Sequence, residues 1–510
     1  MCAINQRKIW QFQWNVVTLH LIYYTNISKM SKIKSLLAAL LLTPATVFAG
    51  GLLTNTNQNA AFLRQMSQDA IIDITGLYAN PAGTAFLNNG WHLSLDWQIA
   101  AQNRNITTSF PLFAFNAAAP GQTTREFKGE AFAPVIPSFQ LSYNHDKWSV
   151  SAAFAVCGGG GKCEFDKGLG SFEALYSSTL YGSVVPTMVE AYAQAAVPQL
   201  IAAGMPYADA VAKATADGLV YANNNFGYSM DSYMKGRQYN FGLQLGATYK
   251  ALDNLAFFGG LRVVYANNNY NGYVRDVKYY VAGNPTSVPA DLTLDCDQTG
   301  WGVTPILGVD WKINEHWNLA AKYEFKTRMR LKNSTTMNAY AQAQVAAGNA
   351  TLAQFADGES VANDIPGILF VGAQYSPIKP VRINAGFHYY FDKSATTYGD
   401  KQDLIDNNTW ELTAGAEWDI CKWITVSASW QSTNYGLSDA YMNDLSFNLS
   451  SNALGLGCRI NACERCSIDV GYMHNFYKDR TVTTPTAIGD KVDLYKRTND
   501  VVGVGVNLKF

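Results

Sequence analysis

The chain has 510 residues, a formal net charge of -1, and 15% charged against 13% aromatic residues. Soluble proteins carry about a quarter charged residues, so this composition favours a chain whose outer face meets lipid. The balanced charge provides neither a basic surface for nucleic acid nor an acidic tail. Outside the N-terminus there is no apolar run of about 20 residues, which excludes a helical membrane protein.

The N-terminus has the pattern of a secretory signal that begins at Met30. Two lysines precede an apolar stretch at 35–42, and residues 47–49 resemble a small-residue cleavage site. The apolar stretch is too short for a membrane anchor. We therefore expect residues 1–49 to be a leader and signal peptide, of which 1–29 lie upstream of the true start.

From Trp91 onward the dominant pattern is alternation of apolar and polar residues, which is typical of β-strands. In 410–419, for example, five apolar side chains that begin and end with tryptophan alternate with mostly polar ones. An apolar face with aromatic ends suits a strand that crosses a membrane. A soluble β-sandwich is disfavoured because its strands are usually shorter. The predicted strands are 91–106, 136–145, 147–157, 236–251, 254–270, 300–313, 316–332, 364–376, 379–392, 408–420, 422–435, 447–460, 465–478 and 497–510.

These segments predict an all-β fold, a 14-stranded antiparallel transmembrane β-barrel. An even strand number is required of bacterial barrels, and the connections alternate between short turns and long loops, as expected for periplasmic and extracellular sides. Two of the long connections, at 172–222 and 337–357, are rich in alanine and predict helices outside the membrane.

The sequence contains no motif that predicts catalysis or a cofactor. The six histidines show no HExxH spacing, and no GxSxG is present. The glycines 158–161 precede Lys162, but a Walker A loop needs another glycine upstream and Ser or Thr after the lysine. We therefore expect no enzymatic activity, no cofactor and no metal.

Cysteines predict disulfides, because an exported chain folds in an oxidising compartment. Cys463 and Cys466 form a CxxC near two further cysteines in neighbouring turns, where a structural disulfide is favoured over zinc or redox chemistry. A second pair would close a small outer loop, with Cys296 as a competing partner, and the connectivity stays open. The candidate cysteines are Cys157, Cys163, Cys421, Cys458, Cys463 and Cys466.

Arg262, Lys322 and Arg382 are charged residues on predicted inward faces of the strands. Two interpretations are open. They bind the polar head of a ligand, or they belong to a polar network that holds the strands and the contents of the lumen in place.

Several segments of the mature chain together resemble the FadL-type outer-membrane transporters of long-chain fatty acids and aromatic hydrocarbons. The stretch Ala79-Asn80-Pro81-Ala82-Gly83, which follows 58–76, resembles the end of that family's N-terminal plug. The other matching segments are 133–138 with 148–150, 300–312 with 317–330, 364–367, and 472–474. No single motif is decisive, and the resemblance lies in their order along 50–510.

This resemblance implies three parts: the leader and signal peptide, an N-terminal plug at 50–90, and a transmembrane β-barrel at 91–510. It implies an outer-membrane protein, a monomer surrounded by membrane lipid, that carries a hydrophobic small molecule and binds no nucleic acid. Such a ligand moves from the outer loops to a luminal site against the plug and leaves sideways at a kink in the third strand, near 150–160. The loop at 158–235 is longer than in the family, and 271–299 lacks the family's helices.

Within the plug, Asn80, Pro81, Ala82 and Gly83 predict a stiff bend, because proline fixes its own backbone and restricts the residue before it. We expect this bend to lie against the kink and gate the side exit. The alternative is that it only joins the plug to the first strand. The expected floor of the ligand pocket is apolar: Phe62, Leu63, Ile71, Ile72, Leu77 and Tyr78.

Three other functions are compatible with a barrel. A porin for other solutes needs an open lumen, which a plug would obstruct. An outer-membrane lipase needs a Ser/His pair, and no suitable spacing occurs. A surface receptor or adhesin would use the helices at 172–222.

Overall fold

The computed structural model describes Leu52 and residues 54–510, so the predicted signal sequence lies outside the described residues. The strands are β1 (Gly90–Ser109), β2 (Thr124–His145), β3 (Trp148–Phe165), β4 (Phe226–Leu252), β5 (Leu255–Val281), β6 (Asn284–Ser287), β7 (Leu292–Lys312), β8 (Trp317–Glu324), β9 (Arg330–Met337), β10 (Ser360–Ala362), β11 (Ile368–Ile378), β12 (Val381–Tyr390), β13 (Ile405–Cys421), β14 (Ile424–Leu437), β15 (Ser451–Cys463), β16 (Cys466–Tyr477), β17 (Arg480–Thr484) and β18 (Lys491–Lys509). The helices are α1 (Ala60–Arg64), α2 (Gly170–Ala202), α3 (Tyr207–Asn225), α4 (Ala339–Ala346) and α5 (Ala350–Ala353). Short 3-10 turns occur at Ile74–Gly76, Pro81–Phe86, Pro111–Phe115, Asp392–Ser394 and Tyr398–Leu404.

The strands form one closed antiparallel barrel of fourteen, as predicted. The first strand, β1, pairs with the last, β18, without interruption from His92 opposite Lys509 to Ser109 opposite Val492. Strands β8 and β9 are two parts of one barrel strand, since both pair with β7. The short strands β6, β10 and β17 lie on the long-loop side and add to the rim.

Alternation of burial along the strands separates a lipid-facing surface from the lumen. On β1, Leu95, Trp97 and Ile99 are exposed, whereas the residues between them are buried. Aromatic pairs lie near the short turns, as in Trp148 with Tyr249. Such a band with aromatic edges is the outer face of a membrane barrel. Within the described residues, no helix is long and apolar enough to span a membrane.

The luminal segment, residues 54–89, runs inside the barrel and is buried over most of its length. Its helix α1 has only five residues, and Asn59 caps it by accepting a hydrogen bond from the backbone N–H of Phe62 at 2.9 Å. A helix this short is not stable alone, so contacts with the barrel wall hold it. The luminal segment ends where β1 begins at Gly90.

Helices α2 and α3 form the predicted helical insertion on the long-loop side. The first half of α2 is buried in the mouth of the barrel, where residues such as Phe172 and Leu180 join the largest apolar cluster. The Asp444 carboxylate accepts a hydrogen bond from the Ser171 backbone N–H at 2.7 Å and so fixes the start of the helix. The far half of α2 and most of α3 are more exposed.

Candidate functional site: the lumen and a gap in the barrel wall

The ladder between β2 and β3 is interrupted. Glu130 pairs with Glu164, and the next pair is Phe139 with Phe154, so the stretches between them face each other without pairing. Pro134 lies in the unpaired stretch of β2 and has no backbone N–H to donate, which favours the break. The wall therefore has a gap at this position.

Strand β3 bends into the lumen along the gap. Residues 155–161 are all buried, so the alternation of facing that marks the rest of the strand is lost here. Gly159 and Gly161 have φ values of 92° and 64°, which favour glycine. A Cβ on Gly159 would lie 2.6 Å from the carbonyl oxygen of Gln238. The glycine run thus forms an inward kink, close to the predicted position.

Asn55 of the luminal segment binds the backbone that the kink frees. Its backbone N–H donates to the Cys157 carbonyl, and its side-chain amide donates to the Val156 carbonyl, both at 2.9 Å. Carbonyls without partners at membrane depth are costly, so these two bonds stabilise the kink. Nothing in the local sequence had marked Asn55 for this role.

An apolar cluster lies behind the gap, between the luminal segment and the wall. It combines two predicted pocket residues, Phe62 and Leu63, with residues of β2, β3 and the closing strands. The buried members, which we call the gap cluster, are Phe62, Leu63, Met66, Ala100, Ile136, Val156, Ala453, Met473 and Val501. On the lipid side of the gap, Phe132 and Val135 are exposed.

The remaining predicted pocket residues lie elsewhere. Leu77 packs with Ile74 and Ala153, and Tyr78 packs in another cluster with Phe370 and its neighbours. Ile71 and Ile72 are only partly buried. The predicted floor is therefore divided among separate clusters, of which only the one with Phe62 and Leu63 borders the gap.

The bend from Asn80 to Gly83 is well formed but lies away from the kink. The Asn80 side chain donates to Asp310 of β7 and accepts from the Gly83 backbone N–H at 3.1 Å. Thr84, directly after the bend, contacts Ser149 at 3.2 Å, and Ser149 precedes the kink by several residues on β3. Ala82 packs against β5 and β7, and Pro81 accepts from Thr248 of β4. The expected contact of this bend with the kink is thus replaced by contacts near the short turns, and Asn55 holds the kink instead.

The predicted headgroup residues Arg262 and Lys322 share one carboxylate. Arg262 donates to Glu324 at 2.7 and 2.8 Å, and Lys322 donates to Glu324 at 2.7 Å. Lys322 also donates to the Tyr78 carbonyl of the luminal segment at 2.6 Å. These contacts support the network interpretation for both residues, because their charges are already compensated.

Arg382, the third predicted headgroup residue, belongs to a second network. It forms two 2.7 Å bonds with Asp419 and a 3.2 Å bond with Glu417, and Glu417 also binds Arg64 of the luminal segment. The network continues through Asp469 to Arg459.

Two further ionic contacts of the luminal segment had no signal in the sequence. Arg459 binds Asp73 at 2.9 Å, and although burial opposes it, this charge lowers the pKa of the Asp73 carboxyl below its ordinary value. His388 lies between Asp69 and Glu411, at 2.9 Å from each. The luminal segment is therefore tied to one side of the barrel by buried charges.

A cavity of about 840 Å³ of empty volume, part of it open to solvent, lies above the luminal segment on the long-loop side. Its wall includes the half-buried Lys401, whose ammonium lies 4.1 Å from the centre of the Tyr441 ring. Burial lowers the pKa of Lys401 to about 7 and raises the pKa of Asp392, also in the wall, to about 6.

The seven described cysteines are free thiols. Cys463 and Cys466 are direct cross-strand partners in the β15–β16 hairpin. Strand β14 lies between the strand of Cys421 and the strand of Cys458. Two strand spacings, about 9.5 Å, therefore separate their backbones, which is beyond the reach of a disulfide. A disulfide in these turns stays a prediction, and the register confines it to Cys463 with Cys466.

The outer pair, Cys157 and Cys163, does not fit a disulfide. Their neighbours on β4 are about four residues apart, which separates the two thiols by roughly 13 Å. The competing partner Cys296 lies on β7, beyond β4 and β5. Among the residues that the structure describes, no group of three metal-ligating side chains occurs.

Comparison with known proteins places the fold. No family model and no curated protein matches the chain. Among solved structures, a FadL homologue of Pseudomonas aeruginosa has a TM-score of 0.61 at 14% identity, covering 90% of this chain and all of that one. The toluene transporters TodX of P. putida and TbuX of Ralstonia pickettii have TM-scores of 0.54 and 0.51, each at 12% identity over 89% of this chain and 98% of theirs. At these identities the likeness concerns the fold, and the chain has the FadL-like fourteen-stranded barrel of an outer-membrane protein.

Proposed function

We propose that the protein carries hydrophobic small molecules, long-chain fatty acids or related apolar compounds, across the outer membrane of a Gram-negative bacterium. The observation that carries this proposal is the gap between β2 and β3, with the apolar gap cluster directly behind it. Two of the structurally similar proteins, TodX and TbuX, are toluene transporters, which supports an apolar substrate.

A side exit is favoured because it lets an apolar ligand pass from the protein into lipid without entering water. An apolar solute in an aqueous pore loses the hydrophobic gain of roughly 25 cal/mol per Å² of buried area. A path from the gap cluster directly into lipid keeps that area out of water. The bilayer beyond Phe132 and Val135 is then the next apolar phase.

Asn55 is the residue that we assign to the gate. It closes the inner side of the gap with two neutral hydrogen bonds to the kink. Movement of 54–58 away from β3 would open a continuous apolar route from the gap cluster to the lipid. Asn80 and Pro81 instead hold the end of the luminal segment in place.

An aqueous porin is a poorer interpretation, because the luminal segment fills the barrel and most of its residues are buried. A receptor role for the α2–α3 hairpin finds less support, since half of α2 packs into the barrel mouth. We further propose that the protein acts as a monomer in outer-membrane lipid, with no catalytic step.

Filling the gap tests the proposal. Ala155 is 6% exposed on the inner side of the gap, and Ala155→Trp should obstruct the exit and reduce uptake of a radiolabelled long-chain fatty acid in cells that lack other transporters. Ala133→Trp fills the gap from the β2 side. It provides a second test of the same exit in case Ala155→Trp disturbs the local fold.

Ala152→Trp is the matched control. Ala152 lies three residues before Ala155 on the same strand, within the paired stretch of β3 and outside the gap. It should leave uptake unchanged. Folding of all three variants is checked by heat-modifiable gel mobility. Normal uptake by both gap variants, once folded, would refute the lateral exit.

A further inference from the structure

Three cations follow one another on the outer face of the barrel wall, where β8 continues into β9. Arg328, Arg330 and Lys332 are exposed, and the two residues between them are buried in an apolar cluster of the inner side. The three side chains therefore point away from the lumen and lie about 7 Å apart along the strand. Nearer the short turns, the outward residues of the same strand are apolar or aromatic, and the last of them is Phe325, which is 41% exposed.

The distance along the strand places these cations at the outer edge of the membrane. Trp317 begins β8 directly after a short turn, and its ring lies 4.5 Å from that of Tyr375, so it marks the inner edge of the apolar band. Arg328 and Lys332 lie 11 and 15 residues farther along. At a strand tilt of about 40° these separations correspond to roughly 28 Å and 38 Å across the membrane. Because the apolar band of such barrels is about 25 Å tall, the cations lie just beyond it on the long-loop side.

The neighbouring strand supports this height. Trp301 of β7 is 67% exposed, and its ring lies 4.6 Å from the ring of Tyr265 on β5. The β7–β9 register, extended by one outward position, places Trp301 beside Arg330. Exposed Trp and Tyr side chains mark the boundary between the apolar core of a membrane and its headgroups. The cations therefore begin at the outer aromatic boundary and continue into the headgroup layer.

Within the described part of the chain, no carboxylate compensates these three cations, and none of them forms a salt bridge or a side-chain hydrogen bond. The acids of the flanking segments, Asp297 of β7 and Glu359 before β10, form no ion pair with them, and Asp297 instead accepts a hydrogen bond from Asn269 at 2.9 Å. Other exposed cations on the long-loop side do bind an acid, namely Lys162, Lys213, Arg275 and Lys496. The uncompensated charge is thus a local property of this strand.

The side chains beside the cations leave them open to the membrane. On β10, Ser360 pairs with Lys332 and Ala362 pairs with Arg330, and both have short side chains. A positive surface above an exposed apolar surface is complementary to a lipid with an anionic head. The outer leaflet of this type of membrane consists largely of a phosphorylated glycolipid.

We propose that Arg328, Arg330 and Lys332 form a binding site for the phosphate groups of an outer-leaflet glycolipid, whose acyl chains lie along the exposed apolar residues of β8. Like charges about 7 Å apart repel one another, and a phosphate between them replaces this repulsion by attraction. A guanidinium binds a phosphate through two parallel hydrogen bonds, which suits the two arginines. The site needs only the location of the barrel in the outer membrane and is independent of the proposed transport.

Binding of bisphosphorylated lipid A to the full chain in detergent micelles tests the site, with zwitterionic phosphatidylethanolamine as the comparison lipid. Arg328→Gln combined with Arg330→Gln should weaken lipid A binding about 30-fold, which corresponds to about fivefold for each cation near a charged membrane surface. Binding of phosphatidylethanolamine should stay unchanged. Both side chains are exposed, so the heat-modifiable gel mobility of the double variant should be normal. Lys332→Gln alone should weaken lipid A binding about fivefold and tests the site independently if the double variant misfolds.

Lys213→Gln combined with Arg275→Gln is the matched control. Both side chains are exposed on the long-loop side, and each binds a carboxylate at 2.9 Å, Lys213 that of Asp217 and Arg275 that of Asp231. This double variant removes the same number of positive charges and should bind lipid A as the unsubstituted chain does.

Each other outcome overturns the glycolipid site. Unchanged lipid A binding in the folded variants would show that the cations do not contact the lipid. An equal loss in the control would show a response to net charge, and an equal loss for both lipids would exclude recognition of the phosphates. Inorganic phosphate that binds the unsubstituted chain as tightly as lipid A does would reveal a site for free anions. Fatty acid uptake enters none of these measurements, so the lateral exit can fail while the glycolipid site stands.

Discussion

Replacing Glu324 by Gln should destabilise the protein much more than replacing Glu417 by Gln. Both carboxylates are buried on inward faces of the barrel, and each binds two cations. The substitutions are isosteric and remove one negative charge each. The two sites differ in whether the cations still have another carboxylate to bind after the substitution.

The expected magnitudes follow from the contacts. Glu324 is the carboxylate that both Arg262 and Lys322 bind, through three bonds of 2.7 to 2.8 Å. Its loss leaves two buried cations uncompensated, and breaking a buried pair in this way costs about 3–5 kcal/mol. In Glu417→Gln, Arg64 still binds Asp469 and Arg382 still binds Asp419 through two bonds. We therefore expect the free energy of unfolding to fall by only about 1–2 kcal/mol.

Urea unfolding in lipid vesicles, followed by tryptophan fluorescence, measures the difference. The free energy of unfolding should fall by at least about twice as much for Glu324→Gln as for Glu417→Gln. Lys322 binds both Glu324 and the Tyr78 carbonyl of the luminal segment. Loss of the carboxylate in Glu324→Gln should therefore loosen the luminal segment and increase its accessibility to protease. An equal or larger effect of Glu417→Gln would refute the argument from network connectivity.

Three further outcomes are expected. Asn55→Ala should leave at least one kink carbonyl without its partner and increase leakage of a small apolar dye through the folded barrel, and unchanged leakage would contradict the gate. Mass mapping of unreduced peptides should find Cys463 joined to Cys466, and complete alkylation of both without reductant would exclude that bond. In the folded protein the pKa of Lys401 is about 7, which is below its ordinary value of 10.5. Between these two pH values the unfolded loop binds more protons than the folded loop. The local stability of the loop should therefore rise with pH from about 7 to about 10. Hydrogen exchange of 398–404, corrected for intrinsic rate, should show this protection in the unsubstituted chain and lose its pH dependence in Lys401→Met.

The barrel was predictable because its strands carry a periodic signal. Alternation at membrane depth identified every barrel strand, including the closing strand β18. The error was in length on the long-loop side, where β2 and β4 begin well before their predicted starts at 136 and 236. There both faces meet water or loops, so the apolar pattern disappears while the hydrogen-bond ladder continues.

The candidate site was predictable only in part, because register is not visible in a sequence. Arg262 was recognised as an inward charge, but its partner Glu324 lies 62 residues away on another strand. The glycine run at 158–161 had been considered as a phosphate loop and not as an inward kink, and Pro134 on the adjacent strand β2 was the signal that could have located the gap.

The luminal segment is anchored unevenly, and this asymmetry bears on how the gap opens. Among the described residues, its four salt bridges lead to β12, β13, β15 and β16 through Arg64, Asp69 and Asp73. Within the described part of the chain, the luminal segment binds the kink of β3 only through neutral groups, the two hydrogen bonds of Asn55.

The free energies of these contacts differ accordingly. Release of 54–58 would break the two bonds of Asn55 and the bond that Asn57 Nδ2 donates to Gln98 Oε1 at 2.8 Å. Three neutral hydrogen bonds contribute about 1.5–4.5 kcal/mol, which corresponds to an open population of roughly 0.05–7%. Expelling the whole luminal segment would break the buried salt bridges, at about 3–5 kcal/mol for each. A ligand that gains hydrophobic contact at the gap cluster therefore has to offset only the smaller cost. Release of 54–58 at the gap, with the anchored part from Arg64 onward staying in place, is the opening that the contacts favour.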